Sequence, residues 1–304
     1  MRIKRRKKAK TLTLILIMML AIASSIAWLF FGYGKQMQDN KNAAKIIVKS
    51  LEEGRKSLSD ATNISEDIIL AEHIFSHRGS GGILEHSFKA YDAAIEAGSR
   101  YIEQDLVMSS DGVLFVAHDL NASYMTGRNA EYSSMSAAEI EQLETNAGFK
   151  VLRLSEVFDK YGKDINYVIE FKDSDESMET AFEKLVDEYD YQDNIIVQSY
   201  YTEVLESLED KYPDMPKLAV CKTQGEVENN LNLEYVDIIS VNYDAGLMTE
   251  DNCEAAHSRG KKFGVWTINR ESSIRDAIEM GVDNYFTEDT ALAMSLEKQY
   301  RVKP

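Results

Sequence analysis

From residue 72 onward, short apolar and partly β-branched runs alternate with stretches whose apolar residues recur every three to four positions. The runs at 73–78, 101–106, 113–118, 165–171, 194–198, 217–221, 236–241, 262–268 and 284–287 predict strands. The helical period falls at 86–97, 136–143, 155–161, 176–188, 202–210, 249–258 and 271–279. Strand followed by helix, repeated over roughly 230 residues, predicts one (β/α)8 barrel of the α/β class. Gly98, Gly260 and Gly281 each end a helical pattern just before a strand, as C-terminal caps do. One interval breaks the pattern. Nine strand candidates compete for eight places, and Asp105 to Val113 leaves no room for the crossover helix that parallel neighbours need. By local rules, Asp111-Gly112 there reads as a hairpin turn.

The first 69 residues follow a different pattern. Residues 1–10 hold seven Lys or Arg and no acid, and Thr11 through Gly34 are uncharged and largely apolar, long enough for one membrane-spanning helix. The basic flank predicts that residues 1–10 stay cytoplasmic and that everything after residue 34 is extracytoplasmic, on a single-pass protein of the cell membrane. Ala21-Ile22-Ala23 could pass for a signal-peptide cleavage site, but Ile26-Ala27-Trp28-Leu29-Phe30-Phe31 carries the apolar run past it, which favours an uncleaved anchor. Residues 35–69 read as a polar, partly helical spacer, and 70–304 as the catalytic domain.

Charge narrows the chemistry. Outside the first ten residues, 27 basic residues face 51 acidic ones, a net charge of −24. Such a surface repels nucleic-acid backbones and anionic lipid, so a small substrate is expected and no nucleic-acid partner. Cys221 and Cys253 show no metal or redox spacing and read as structural, whether bridged or free.

Titratable residues cluster where predicted strands end. Glu103 and Asp105 lie two apart and so share a strand face, and Glu170 with Lys172 repeats that spacing on a later strand. Three hard oxygen donors at one level suit a single divalent cation, Ca²⁺ or Mg²⁺. His77 and His118 are the acid and base candidates, because imidazole exchanges protons near neutral pH. Arg78 and Lys172 are the candidates for binding phosphoryl oxygens. By its place on the leading strand beside Arg78, His77 is expected to be the base and His118 the acid.

His77-Arg78-Gly79, Glu85, Ile102-Glu103-Gln104-Asp105, Ser110-Asp111-Gly112-Val113, His118-Asp119, Ile169-Glu170-Phe171-Lys172 and Val265-Trp266-Thr267-Ile268-Asn269 follow in order. From about Glu72 to about Asp289 this series resembles the glycerophosphodiester phosphodiesterase family. The resemblance implies metal-dependent hydrolysis of glycerophosphodiesters to glycerol 3-phosphate and an alcohol. It implies a TIM barrel in which the irregular crossover between the second and third strands is extended rather than helical. It also implies that Trp266 packs against the glycerol and that Glu85 orients a catalytic group or accepts a glycerol hydroxyl. Leu84-Glu85-His86-Ser87 departs from the family's Pro-Glu-Asn-Thr, so the loop around Glu85 is expected to differ in shape. His73, His86 and His257 match no motif and read as structural or surface residues. Tyr124, Met125 and Arg128 are the candidates for leaving-group contacts. Two further readings use the same barrel: a lysophospholipase-D-like or cyclising phosphodiesterase, and a non-enzymatic surface-binding module. The intact histidines and carboxylates argue against the module.

Overall fold

The structure, a computed structural model, describes residues 72–82 and 85–301. The chain divides into two units, residues 1–62 and 63–304, and the described residues belong to the second. The predicted basic segment 1–10, anchor 11–34 and spacer 35–69 lie outside the described residues. Among the described residues no helix is long and apolar enough to cross a membrane.

Eight parallel strands close into a barrel. In ring order they are β1 (Ile74–Ser76), β2 (Tyr101–Met108), β4 (Asn166–Phe171), β5 (Ile195–Ser199), β6 (Lys217–Cys221), β7 (Ile238–Asn242), β8 (Lys262–Trp266) and β9 (Asn284–Thr287), and β9 pairs back to β1. Helices α1 (Phe88–Glu96), α4 (Leu154–Tyr161), α5 (Glu176–Tyr189), α6 (Thr202–Lys211), α7 (Gln224–Asn230), α8 (Glu250–Ser258), α9 (Glu271–Met280) and α10 (Thr290–Tyr300) accompany them. Because strand side chains alternate, the barrel interior receives every second residue. Phe75, Val168, Ile196, Leu218, Ile238 and Phe286 make its apolar layer. A larger apolar shell, including Ile102, Phe158, Tyr167, Phe171, Phe182 and Val265, is also buried. Cys221 and Cys253 are buried free thiols, and burial pushes them up to about 12 and about 11 respectively.

The extended crossover expected between the second and third strands is not what forms. β3 (Leu114–Val116) runs antiparallel to β2, with Val107 opposite Phe115, and pairs with no other strand. Ser109 to Gly112 is a tight turn: the Gly112 N–H donates to the Ser109 carbonyl at 3.0 Å, and Gly112 takes a left-handed φ of 81°. Local turn chemistry therefore wins. A hairpin needs only those residues, whereas a parallel partner would need a long crossover. The return from β3 to the barrel runs through the short helices α2 (Ser123–Thr126) and α3 (Ala137–Ile140) and then α4. This excursion packs on its own cluster of Phe115, Met125, Tyr132, Met135, Ile140 and Val151 beneath Val107. β4, not β3, is the third barrel strand.

Helix ends follow their sequence signals. The Asp175 side chain accepts from Ser177 N ahead of α5, and Gly281 closes α9 at φ 86°. The helices α7 and α10 have no counterpart in the apolar periodicity, yet each carries a readable cap. Thr223 and Glu226 form a capping box, and Asp289 caps Leu292 N. Gly225 and the Asn229-Asn230 pair weaken the helical signal of α7.

Phe158 of α4 ties this shell together, with ring centroids 4.8 Å from Tyr167 on β4 and 4.7 Å from Tyr191. Phe158→Ala is expected to cost about 3–5 kcal/mol, read as a lower urea midpoint at unchanged slope.

Candidate active site

Each strand of interest emerges at the carboxyl end of the barrel, where its period-2 face turns charged. Glu103 and Asp105 continue the inward face of β2 above Tyr101, and Glu170 and Lys172 continue that of β4 above Val168. Since β2 and β4 are neighbours and Asp105 stands opposite Glu170 in register, the three carboxylates converge. One oxygen from each lies within 4.8 Å of the others.

Four side chains hold this crowd in place. Lys172 Nζ donates to Glu170 Oε1 at 2.8 Å and stands 3.4 Å from Asp105 Oδ1. Arg78 places Nε 3.3 Å from Asp105 Oδ2 and donates from Nη1 to Glu85 Oε2 at 2.9 Å, while its backbone N–H donates to Glu103 Oε2 at 2.8 Å. Gln198 of β5 donates from Nε2 to Glu170 Oε2 at 2.8 Å and to Glu103 Oε1 at 3.3 Å. His86 is fully buried, with Nε2 2.9 Å from Asp105 Oδ2 and Nδ1 3.0 Å from the Tyr91 hydroxyl. Burial lowers the His86 imidazole. A neutral ring here donates from Nε2 to the carboxylate and accepts at Nδ1 from tyrosine.

The geometry requires unusual backbone. Arg78 sits at φ 56° and His86 at φ 53°, both left-handed, and the Arg78 carbonyl accepts from His86 N at 3.0 Å. Gly79, at φ 95°, lies so close to α1 that a Cβ would come 2.6 Å from Ala90 Cβ and 2.7 Å from its carbonyl carbon. The His-Arg-Gly run is thereby pressed against the helix, with arginine turned back over the carboxylates.

Electrostatics separates the three acids. Burial, then the charges of Asp105 and Glu170, pushes the Glu103 carboxyl well above its usual range. Burial and then Asp105 push Glu170 up to about 7. Burial would raise Asp105 too, but the Lys172 ammonium, the His86 hydrogen bond and the Arg78 guanidinium together hold it well below. An ionised aspartate between two reluctant glutamates is the state of a donor set with too few positive charges. Oxygen donors in this number and spacing fit a hard divalent cation, and Asp105 Oδ1 lacks a hydrogen-bond partner.

The two histidines flank the same cleft of about 530 Å³, with Lys172, Gln198, Trp266 and Phe286 in its walls. His118 follows β3, and its Nδ1 lies 2.8 Å from Asp119 Oδ1. Burial lowers the His118 imidazole and, with the charges of Lys172 and Arg78, outweighs the opposing Asp105 charge and the Asp119 hydrogen bond. His77 extends β1 and turns Nδ1 toward Glu288 Oε1 at 3.6 Å. Glu288 is itself clamped, its N–H bound by Asn269 Oδ1 at 2.8 Å and its carbonyl by Gly81 N at 3.0 Å. The nearby His77 imidazole leads the effects that hold the Glu288 carboxyl below its usual range.

The nine residues expected to carry catalysis, the cation, the phosphate and the glycerol thus gather at this end of the barrel. Glu85 reaches the carboxylates through Arg78, and Trp266 lines the cleft with Nε1 donating to the Ser240 carbonyl at 3.2 Å. Tyr124, Met125 and Arg128 do not line it; Tyr124 is exposed and Met125 is packed into the hairpin cluster. Sequence reasoning missed His86, Gln198, Glu288, Tyr200 and Lys222. His86 had one signal, its place directly after Glu85 where the loop motif departs.

Fold and site define a phosphoric diester hydrolase built on a parallel (β/α)8 barrel. The profile of the glycerophosphoryl diester phosphodiesterase family matches residues 77–292, and the chain belongs to that family. It is 26% identical over 264 residues to a glycerophosphodiester phosphodiesterase of Bacillus subtilis strain 168, spanning 78% of this chain and 89% of that protein. A glycerophosphodiester phosphodiesterase of Caldanaerobacter subterraneus is 25% identical over 74% of this chain and 98% of its own length. Among solved structures, an Oleispira antarctica phosphodiesterase in complex with the product sn-glycerol-3-phosphate superposes with a TM-score of 0.67. The two share 19% identity, over 74% of this chain and 96% of that one.

The raised glutamates make a stability prediction. Their folded values exceed the ordinary 4.5, so the stability they contribute is present below that pH and is lost as pH rises through about 7. Asp105 works the other way, its contribution being lost only in acid below 3.8. In EDTA the melting temperature is therefore expected to fall as pH rises from about 5 to about 8. Glu170→Gln is expected to shrink that fall and excess Ca²⁺ or Mg²⁺ to flatten it; a level profile in EDTA refutes the electrostatic account.

Proposed function

We propose that this cleft hydrolyses glycerophosphodiesters to glycerol 3-phosphate and an alcohol, with His77 and His118 exchanging protons beside one divalent cation held by Glu103, Asp105 and Glu170. The observation that carries this is the meeting of three carboxylate oxygens within 4.8 Å, between two imidazoles and two cationic side chains. When bound, a Ca²⁺ or Mg²⁺ ion supplies positive charge for the phosphoryl oxygens.

The chain's own groups supply the rest. Arg78 and Lys172 hold the phosphate and meet the charge that grows on it in the transition state. Trp266 offers a ring face to the glycerol carbons, and Glu85 keeps Arg78 turned toward the cleft. The surroundings favour the reverse of the acid and base allocation drawn from strand position. Burial and two neighbouring cations favour neutral His118, which suits a base that takes the proton of the attacking water or hydroxyl. His77, across the cleft on the β1 side, is then the acid that protonates the departing alkoxide as the P–O bond breaks. We also propose that residues 11–34 anchor the enzyme in the cell membrane with the barrel on the extracytoplasmic side.

His77→Ala and His118→Ala are each expected to lower turnover by roughly 10² to 10⁴ on a panel of glycerophosphodiesters and lysolipids with product identification. With p-nitrophenol as leaving group, which departs without a proton, His77→Ala is expected to recover most of its rate while His118→Ala stays impaired. The opposite pattern restores the allocation by strand position, and equal losses on both substrates reject any division of labour. Chelation is expected to abolish turnover, and full activity in excess EDTA would sink the cation.

A further inference from the structure

The cations around the cleft differ in what they touch. Arg78 is tied to Asp105 and Glu85, and Lys172 to Glu170 and Asp105. Lys222, directly after β6, also lines the cleft, yet among the described residues no carboxylate forms an ion pair with it, in a chain of 51 acidic residues. Its ammonium instead lies 4.0 Å from the ring centroid of Tyr200 and 5.9 Å from that of Trp266. Ring faces orient a cation but neither neutralise it nor satisfy its three N–H donors in the way an anion does.

The base of this side chain is fixed. Glu226 Oε2 accepts from the backbone N–H groups of Lys222 and Thr223 at 2.6 and 2.9 Å. Beside it, the Tyr200 hydroxyl is shielded from solvent without a hydrogen-bond partner. In the closed ring of eight strands, β6 stands opposite β1. A diester phosphate drawn to the carboxylates, Arg78 and Lys172 on β1, β2 and β4 therefore leaves Lys222 unused on the facing wall.

We propose that Lys222, oriented by Tyr200 and Trp266, binds a second phosphate of the substrate, so that glycerophosphodiesters bearing an additional phosphate are preferred. The same placement disfavours alcohols with a quaternary ammonium group, because an aromatic pair that would cage such a cation already holds one of the chain's own. This inference rests on the hydrolase reading above and deepens it.

Binding and turnover separate the two. With the full chain in Ca²⁺ or Mg²⁺, calorimetry would compare sn-glycerol 3-phosphate with glycerol 1,3-bisphosphate. The bisphosphate is expected to bind about five- to tenfold more tightly, the scale of one charge-assisted contact. Lys222→Gln is expected to bring the two ligands within about twofold, and Lys222→Arg to keep the difference. Equal affinities in the wild type overturn the proposal, and so does a Lys222→Gln variant that weakens both ligands alike, since the lysine then serves the first phosphate. In turnover, glycerophosphoglycerol bearing a terminal phosphomonoester is expected to exceed plain glycerophosphoglycerol in kcat/KM by the same ratio. If neither diester is cleaved the hydrolase reading fails, and the calorimetric comparison still decides Lys222.

Discussion

Like charges confined together set the terms of this molecule. Three carboxylates with oxygens inside 4.8 Å repel one another strongly wherever water is scarce, and nearly every polar contact at the barrel mouth answers that repulsion. Arg78 gives up a relaxed backbone to do so: a left-handed arginine costs roughly 1–3 kcal/mol, offset by its N–H on Glu103 and its guanidinium on Asp105. His86 adopts the same strained region to reach Asp105 from behind. Gln198 bridges two of the three acids with one amide group. The result is a site held under electrostatic tension, with one acid firmly ionised and two inclined to keep their protons.

That arrangement explains which parts could be read from the chain. The eight barrel strands appear in the apolar pattern because buried parallel strands are continuous runs of Val, Ile, Leu and aromatic residues, and their ends mark where the charged residues must be. Glu103, Asp105, Glu170 and Lys172 were legible because period 2 puts residues two apart on one face, whatever the tertiary structure. The partner of β3 was not legible from the barrel pattern, since periodicity reports burial and not strand direction. Asp111-Gly112 carried that information locally, against the barrel count.

The residues that escaped notice share a physical character. Gln198, Glu288 and Lys222 each stand at or just past the end of a strand that contributes no other carboxylate, imidazole or cation to the cleft, so no spacing rule links them to their partners. Glu288 meets His77 across 211 positions of sequence, and Lys222 meets Trp266 across 44. Closure of the ring brings the first pair together, and the shared neighbour β7 the second. His86 was hidden differently, by sitting on a short loop whose strained φ brings an ordinary polar residue under the carboxylates.

The hairpin between β2 and β3 has the widest reach. Had the third run of apolar residues joined the ring, Glu103 and Asp105 would stand one full strand further from Glu170, an added separation of about 4.8 Å, and the three acids could not share a ligand. By folding back on β2, the segment from Ser109 to Arg153 leaves the ring and rejoins it with a hydrophobic cluster of its own. His77 is therefore anchored in barrel staves, while His118, Asp119 and Leu120 ride on an appendage joined along one seam. The appendage can change in length, shape or stiffness without shifting a single carboxylate, so the reach of His118 over the cleft is set apart from the spacing of the acids.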